Sequence, residues 1–147
     1  MKILQYINIR KFFIEDFYIL QTFHVEHFHF YSISNKEFTK YLSSREYIVI
    51  GAISSLTIVG YIICLIVGDE AEIIYLCVHP NYHRIGIASG ILQYLIRHIP
   101  SLKKIHLEVL MYNTQAIKFY KKQNFIITHV RKNYSDGHDA YAMLKLL

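Results

Sequence analysis

Residues 76–90 combine a short apolar run with residue types that suit a phosphate-bearing ligand. They read LCVHPNYHRIGIASG, which predicts a strand, a turn and the start of a helix. A helix N-terminus offers backbone N–H groups and the positive end of the helix dipole to an anion. Gly86 allows close approach to the backbone, Ala88 keeps the first turn narrow, and Arg84 adds a positive charge. The pattern predicts a polyphosphate ligand, with a tight packing turn as the alternative.

The elements around this loop are predicted from the period of the apolar residues. The first half reads as a strand over 4–9, a helix over about 11–26, a helix capped by Ser34 and Glu37 that ends near 43–44, a hairpin over 47–68 and a strand over about 72–78. The second half reads as a helix over 87–99, a strand over 104–110, a helix over 114–122, a strand over 125–131, a turn at Asp136-Gly137 and a last strand from about 140. This order predicts an α/β protein of one domain over residues 1–147, with a mixed, mostly antiparallel seven-stranded sheet flanked by about four helices.

The composition of the 147 residues supports a single folded domain. Hydrophobic residues make up 53% of the chain, which is more than a disordered chain carries. The net charge of +5 suits an anionic ligand, but no run of Lys or Arg exceeds a pair, so we do not expect nucleic acid as a partner. Cys64 and Cys77 lie in apolar runs without a CxxC spacing, which predicts buried free thiols in a reducing compartment, with a disulfide between them as the alternative.

Residues 47–68 contain no charged side chain and are long enough to span a membrane. Ser54, Ser55 and Thr57 interrupt this stretch, and its β-branched and aromatic residues favour two strands joined by a tight turn. At the N-terminus, charged residues such as Arg10 and Lys11 arrive before any long apolar run, so no signal peptide is predicted. We therefore expect a cytoplasmic protein without a membrane partner.

Several ordered motifs in the second half match one known family. The cofactor loop of that family reads [Gln/Arg]-x-x-Gly-x-[Gly/Ala], which falls on residues 83–88, and the similarity continues through 107–109, 113–120, 124–125 and 131–134. From about residue 47 onward the chain resembles the GCN5-related N-acetyltransferase (GNAT) superfamily. Within it, the chain is most similar to the ribosomal-protein-alanine N-acetyltransferases and related N-terminal acetyltransferases.

The resemblance implies acetyl-CoA as the cosubstrate and no metal. It implies that the backbone of Leu76, Cys77 and Val78 holds the pantetheine arm and polarises the thioester carbonyl. The residues implied to hold the rest of the cofactor are Arg84, Ile85, Gly86, Ile87, Ala88, Ser89, Asn113 and Tyr120. His83 departs from the Gln or Arg of the family, which bears on the affinity for phosphate.

By the same resemblance, Glu108 is the general base and Tyr120 the general acid. An α-amine has a pKa of about 7.7–8.0, so a base must remove a proton before or during its attack. Apolar neighbours such as Leu107 and Val109 are expected to desolvate the Glu108 carboxylate and raise its pKa. The alternatives are a solvent-facing Glu108, a Tyr120 that only fills the core, and an Asn113 that only caps a helix.

The resemblance implies that the acceptor is a protein N-terminal α-amine, most specifically the N-terminal alanine of a small-subunit ribosomal protein. Phe30, Tyr31 and Tyr134 are expected to contact it, although Ser135 stands where the family often has a second Tyr. Direct attack is expected, because both cysteines lie in apolar strands. The alternatives are other protein N-termini, a lysine, a small amine, or a CoA-binding module without turnover, and the chain is expected to be a monomer or weak homodimer.

Three histidines, His24, His27 and His29, form a cluster that suggests a metal, since His24 and His27 lie one helical turn apart. No second pair of ligands lies at a suitable spacing. A second possibility is that these histidines contact the acceptor. The pattern favours a third, in which they are surface histidines without a special role.

Overall fold

The computed structural model describes residues 6–28 and 32–147. In these residues seven strands and four α-helices occur: β1 (Ile7–Phe12), α1 (Phe17–Phe28), α2 (Asn35–Ser43), β2 (Tyr47–Ser54), β3 (Thr57–Val67), β4 (Glu70–Val78), α3 (Ile87–His98), β5 (Lys104–Leu110), α4 (Thr114–Lys122), β6 (Ile126–Ser135) and β7 (His138–Leu146). The strands form one sheet in the order β1-β2-β3-β4-β5-β7-β6. β4 and β5 pair in parallel, whereas the β1–β2, β2–β3, β5–β7 and β6–β7 pairs are antiparallel. The mixed, mostly antiparallel seven-stranded sheet predicted from the sequence is confirmed.

Local sequence signals explain several element boundaries. Ser34 Oγ accepts from the N–H of Glu37 at 3.1 Å, and the Ser34 N–H donates to the Glu37 carboxylate at 2.7 Å, which is the predicted capping box of α2. The β2–β3 turn passes through Ser55 in the left-handed region (φ 57°), and the β6–β7 turn does so at Asp136 and Gly137 (φ 48° and 77°). Both hairpins were predicted from these polar and small residues.

The N-terminal boundaries differ from the prediction. The helix predicted over about 11–26 begins only at Phe17, after a 3-10 helix over Ile14–Asp16. Lys11 and Phe12 instead extend β1, because they pair with Ile50 and Val49 of β2. These ladder hydrogen bonds outweigh the helical spacing of the phenylalanines, which is a weaker local preference.

The chain divides into two compact units. The first comprises the described residues up to Leu65 together with Ile74–Pro100. Its core is rich in aromatic rings, and burial of each such side chain contributes about 1.5–3 kcal/mol. The core residues are Phe12, Leu20, Phe23, Phe38, Leu42, Val49, Ile58, Tyr61, Ile63 and Cys77.

The second unit comprises Ile66–Ile73 and Ser101–Leu147. Alternate residues of β5 are buried, among them Ile105, Leu107 and Val109, whereas all ten residues of β6 are exposed. β6 is therefore an open edge strand whose side chains are accessible to solvent.

The uncharged stretch 47–68 forms β2 and β3 rather than a helix. Within residues 6–28 and 32–147, no helix is both long and apolar enough to cross a membrane. Cys64 and Cys77 are free and buried, as predicted.

Candidate active site

The predicted cofactor-binding residues between Leu76 and Ser89 lie on one continuous stretch of the first unit. Leu76, Cys77 and Val78 are the last three residues of β4, and a 3-10 helix over Pro80–Tyr82 follows. Arg84, Ile85 and Gly86 form the loop that leads into α3, and Ile87, Ala88 and Ser89 are its first three residues. The structure thus arranges them as strand, loop and helical turn, in the predicted order.

The loop enters α3 through backbone conformations that favour glycine. Gly86 is the N-cap of α3 with φ 91° and ψ 11°, and Arg84 also has a positive φ of 63°. Gly86 has no side chain that could accept hydrogen bonds from the first turn, so no side-chain cap closes this helix start. Backbone N–H groups at such a turn suit the oxygens of a phosphate.

Two histidines brace this loop. The His83 Nε2–H donates to the carbonyl oxygen of Val78 at 2.8 Å, and His79 Nδ1 accepts from the N–H of Asn81 at 3.0 Å. Burial lowers the pKa of His79, and the nearby His27 and His83 lower it further. His83, at the Gln or Arg position of the GNAT motif, therefore holds the loop to the end of β4, a role that the sequence did not signal.

The histidines of α1 have different environments. His24 is 2% exposed and shares a hydrogen bond of 2.7 Å between its Nδ1 and the hydroxyl of Tyr61, so the expectation of a surface histidine is wrong here. It is buried because α1 turns this position toward the aromatic core. The His27 ring lies 4.2 Å from that of His79, and His29 lies outside the described residues. In the part of the chain that the structure describes, no three His, Cys, Asp or Glu side chains are grouped to hold a metal ion.

In the second unit, Glu108 lies in the middle of β5 and is 25% exposed at its side chain. Leu107 and Val109 are buried on the opposite face of the strand, so they do not form the apolar surroundings expected for this carboxylate. Instead, Arg131 Nη1 donates to both Glu108 oxygens, at 2.6 and 2.7 Å. Strand alternation is the reason for this correction: the partner of Glu108 is a cation rather than an aliphatic side chain.

Arg131 also contacts the predicted acceptor residue Tyr134. The guanidinium carbon lies 5.3 Å from the centre of the Tyr134 ring, a cation–π distance. The hydrogen bond to Glu108 raises the pKa of Arg131, while burial and then the charge of Glu108 raise the pKa of Tyr134. The structure therefore brings Glu108 and Tyr134 together through Arg131, a residue that the sequence motif contained but to which we assigned no role.

Asn113 and Tyr120 belong to α4. Asn113 Oδ1 accepts from the N–H of Ala116 at 3.2 Å, which confirms Asn113 as a helix cap. Tyr120 is buried, and its ring lies 5.3 Å from that of Phe125. The remaining predicted acceptor residues, Phe30 and Tyr31, lie outside the described residues.

Comparison with known families identifies the class of the protein. Residues 8–125 match the acetyltransferase (GNAT) family, so the chain belongs to that family. This confirms the resemblance drawn from the loop before α3 and the motifs that follow it.

Particular relatives include an N-alpha-acetyltransferase of Sulfurisphaera tokodaii, 33% identical over 78 residues, which are 50% of this chain and 47% of that protein. A [ribosomal protein bS18]-alanine N-acetyltransferase of Escherichia coli is 29% identical over 92 residues, which are 59% of this chain and 62% of that protein. The chain thus matches about half to three-fifths of the length of these relatives.

Solved structures share the fold over nearly the whole chain. Arabidopsis thaliana NAA60 in complex with acetyl-CoA aligns with a TM-score of 0.85 at 18% identity, covering 96% of this chain and 99% of that one. The ribosomal-protein-S18-alanine N-acetyltransferase of Escherichia coli aligns with a TM-score of 0.83 at 25% identity, covering 95% and 93%.

Proposed function

We propose that the protein transfers the acetyl group of acetyl-CoA to the α-amine at the N-terminus of another protein. The observation that carries this proposal is the loop before α3, where Arg84 and Gly86 adopt positive φ and the helix starts without a side-chain cap. Membership of the GNAT family and the similarity to N-alpha-acetyltransferases support the reaction and the acceptor.

The loop residues fit the pyrophosphate of acetyl-CoA. The first-turn N–H groups of α3 supply hydrogen bonds and the helix dipole, and Arg84 supplies a fixed charge. The His83 side chain is proposed to contribute to cofactor binding only indirectly, because it holds the loop to Val78. The backbone at the end of β4, from Leu76 to Val78, is proposed to hold the pantetheine arm and polarise the thioester carbonyl. Asn113 is proposed to contact the same arm while it caps α4.

The cysteine at the end of β4 is unsuited to a covalent intermediate. Cys77 is buried, and burial raises the pKa of its thiol to about 12 despite a hydrogen bond from Tyr61 that lowers it. A thiolate is the nucleophilic form, and at neutral pH such a thiol stays protonated. Attack by the acceptor amine itself is therefore the step that the residues favour.

Acetyl-CoA supplies the acetyl group as an activated thioester. In the proposed reaction the acceptor nitrogen forms a bond to the carbonyl carbon and the carbon–sulfur bond breaks. Glu108 takes the proton that the amine loses, directly or through a water, and Tyr120 gives its hydroxyl proton to the departing thiolate. Both proton transfers are balanced, because the base gains one proton and the acid loses one.

For the acceptor itself, our specific proposal is the N-terminal alanine of a small-subunit ribosomal protein, supported by the similarity to the [ribosomal protein bS18]-alanine N-acetyltransferase of Escherichia coli. Tyr134 is proposed to contact the acceptor, together with Phe30 and Tyr31. A cytoplasmic location and a monomeric or weakly dimeric state accompany this proposal.

The test is incubation of the purified chain with acetyl-CoA and a panel of peptides that vary the N-terminal residue and carry internal lysines. We expect a mass increase confined to the α-amine, located by tandem mass spectrometry, and largest for peptides that begin with Ala. The same assay with Glu108→Gln gives the background. Acetylation confined to lysine side chains, or no product with any peptide, would contradict the proposal.

A further inference from the structure

Arg131 is bound to the Glu108 carboxylate, which the proposed reaction needs as its base. Arg131 is 57% exposed at its side chain and Glu108 is 25% exposed, so the pair lies at the surface rather than in the core. Exposed ion pairs are weak, because water and salt screen both charges. Arg131 can therefore leave Glu108 at a low free-energy cost.

The strand order explains how the two side chains meet. Glu108 of β5 pairs with Ala142 of β7, and Arg131 of β6 pairs with Ala140 of β7. Residues paired across strands point to the same face of a sheet, and Ala140 and Ala142 are two residues apart on that face. Because both are small, the long Arg131 side chain can cross β7 and reach the Glu108 carboxylate.

The Arg131 guanidinium has more N–H donors than its bonds to Glu108 use, and these can bind a second anion. This guanidinium lies near the ring of Tyr134, and a guanidinium has five N–H donors, whereas the bonds to Glu108 use one of its nitrogens, Nη1. The charge of a second carboxylate, Glu72, also raises the pKa of Arg131. The net charge of +5 also favours approach of acidic partners.

An acceptor amine that contacts the Glu108 carboxylate directly must displace Arg131. If the acceptor carries no carboxylate, the guanidinium loses its contact partner and gains none. If the acceptor carries a carboxylate close to its α-amine, the amine takes the place of Arg131 at Glu108 and the acceptor carboxylate takes the place of Glu108 at Arg131. Both charges then remain paired, and a guanidinium binds a carboxylate in a defined, two-pronged geometry.

We propose that Arg131 determines acceptor specificity by binding an acidic side chain within the first residues of the acceptor. This inference rests on the proposed function, and it names the substrate class: protein N-termini with Asp or Glu at the second or third residue. Arg131 also orients the Glu108 carboxylate in the free protein.

The test compares matched peptides that differ only in Glu or Gln at position two, and a second pair that differs at position three, with acetyl-CoA and the full chain. We expect kcat/KM to be about threefold higher for the Glu peptide of at least one pair, because an exposed ion pair is weak, and mainly through a lower KM, since the contact forms on binding. In Arg131→Gln the ratio of Glu to Gln peptide should fall to about 1, and in Arg131→Lys it should be intermediate.

Two further variants sharpen the test. Lys132→Gln removes the same charge from the neighbouring residue, which is 79% exposed and pairs with Asp139, and should keep the ratio of the unsubstituted chain. Glu72→Gln removes the carboxylate that competes for the displaced guanidinium, and should raise the ratio.

Equal kcat/KM values for Glu and Gln peptides in the unsubstituted chain would overturn the inference, as would a preference that survives in Arg131→Gln. If either result is obtained while the peptides are acetylated at their α-amines, the inference is wrong but the proposed function is not contradicted. Absence of product on every peptide would overturn the function and this inference together.

Discussion

The loop before α3 and the polar face of β5, β6 and β7 present two different kinds of surface. The loop offers mainly backbone: positive φ at Arg84 and Gly86, an uncapped helix start, and histidine side chains that brace the chain. The strand face offers side chains, with Glu108, Arg131 and Tyr134 in contact along a row. A backbone surface suits a constant ligand such as a cofactor, whereas a side-chain surface can be altered residue by residue for a particular acceptor.

This difference predicts that substitutions in the two regions have separable effects. Changes on the strand face should lower turnover or alter acceptor choice, and changes in the loop should weaken cofactor binding. The expected effects below run from the largest to the smallest.

Glu108→Gln should have the largest effect. It removes the proposed base while it keeps the size of the side chain and a hydrogen-bond acceptor for Arg131, so we expect kcat to fall by about 10²-fold or more. Steady-state kinetics with a reactive peptide would measure this. Glu46→Gln, at an exposed position in the first unit, is the matched control and should leave kcat unchanged. An unchanged kcat in Glu108→Gln would remove Glu108 as the base.

Tyr120→Phe should lower kcat by about tenfold or more, because the phenol proton is lost. The ring remains, and so do its contacts with Phe119 and Phe125, so we expect the thermal stability to change little. Tyr112→Phe, which alters an exposed tyrosine of the same unit, should leave kcat unchanged. A loss of stability large enough to account for the lower rate would instead assign Tyr120 to the core.

Gly86→Ala should raise the Kd of acetyl-CoA by about tenfold. An alanine is strained in the left-handed conformation of residue 86, and the backbone shift that reduces this strain turns the first-turn N–H groups of α3 away from the phosphates. The strain itself costs about 1–2 kcal/mol of folding stability. Gly68→Ala introduces similar strain at φ 61° in open space, in the turn between β3 and β4. It should lower the Tm comparably and leave the Kd unchanged in isothermal titration calorimetry. An equal loss of affinity in both variants would show that the loop has no special part in binding.

The smallest effect concerns the pH dependence of the loop. Burial lowers the pKa of His79 in the folded chain, whereas in the unfolded chain His79 has a pKa of about 6.5. As the pH falls, the unfolded state therefore takes up the proton before the folded state does. The stability that neutral His79 contributes is complete above about pH 6.5 and is lost as the pH falls through the lower pKa of the folded state. His79→Asn keeps an acceptor for the N–H of Asn81 without this titration.

Between about pH 7 and 5 we expect the Tm of His79→Asn to fall by about 1–3 °C less than the Tm of the unsubstituted chain. His129→Asn, on the exposed β6 strand of the second unit, should leave the slope unchanged. A slope in His79→Asn as steep as that of the unsubstituted chain would mean that protonation of His79 does not disturb the loop.

The same contrast explains which features the sequence could predict. The capping box at Ser34, the turn at Asp136-Gly137 and the helix start at Gly86 depend on residues within a few positions of one another, and each was located correctly. The Glu108–Arg131 contact joins residues 23 positions apart and depends on β7 lying between β5 and β6. No local period encodes that order.

Burial of single polar residues was also beyond the sequence. His24 was expected at the surface, but its position on α1 and the hydroxyl of Tyr61, 37 positions away, give it a buried partner. β1 extended to Phe12 for a similar reason, because pairing with β2 decides the boundary. The structure thus differs from the prediction where tertiary contacts outweigh a weak local preference.

The most direct test of acetyl transfer with separate binding and proton-transfer groups measures acetyl-CoA affinity and product formation side by side in Glu108→Gln and Gly86→Ala. We expect Glu108→Gln to bind acetyl-CoA as tightly as the unsubstituted chain and to form product about 10²-fold more slowly. Gly86→Ala should bind weakly, yet regain within about threefold of the normal kcat at saturating acetyl-CoA. Loss of affinity in Glu108→Gln that matches its loss of rate, or a Gly86→Ala chain that saturation does not rescue, would contradict this division of roles.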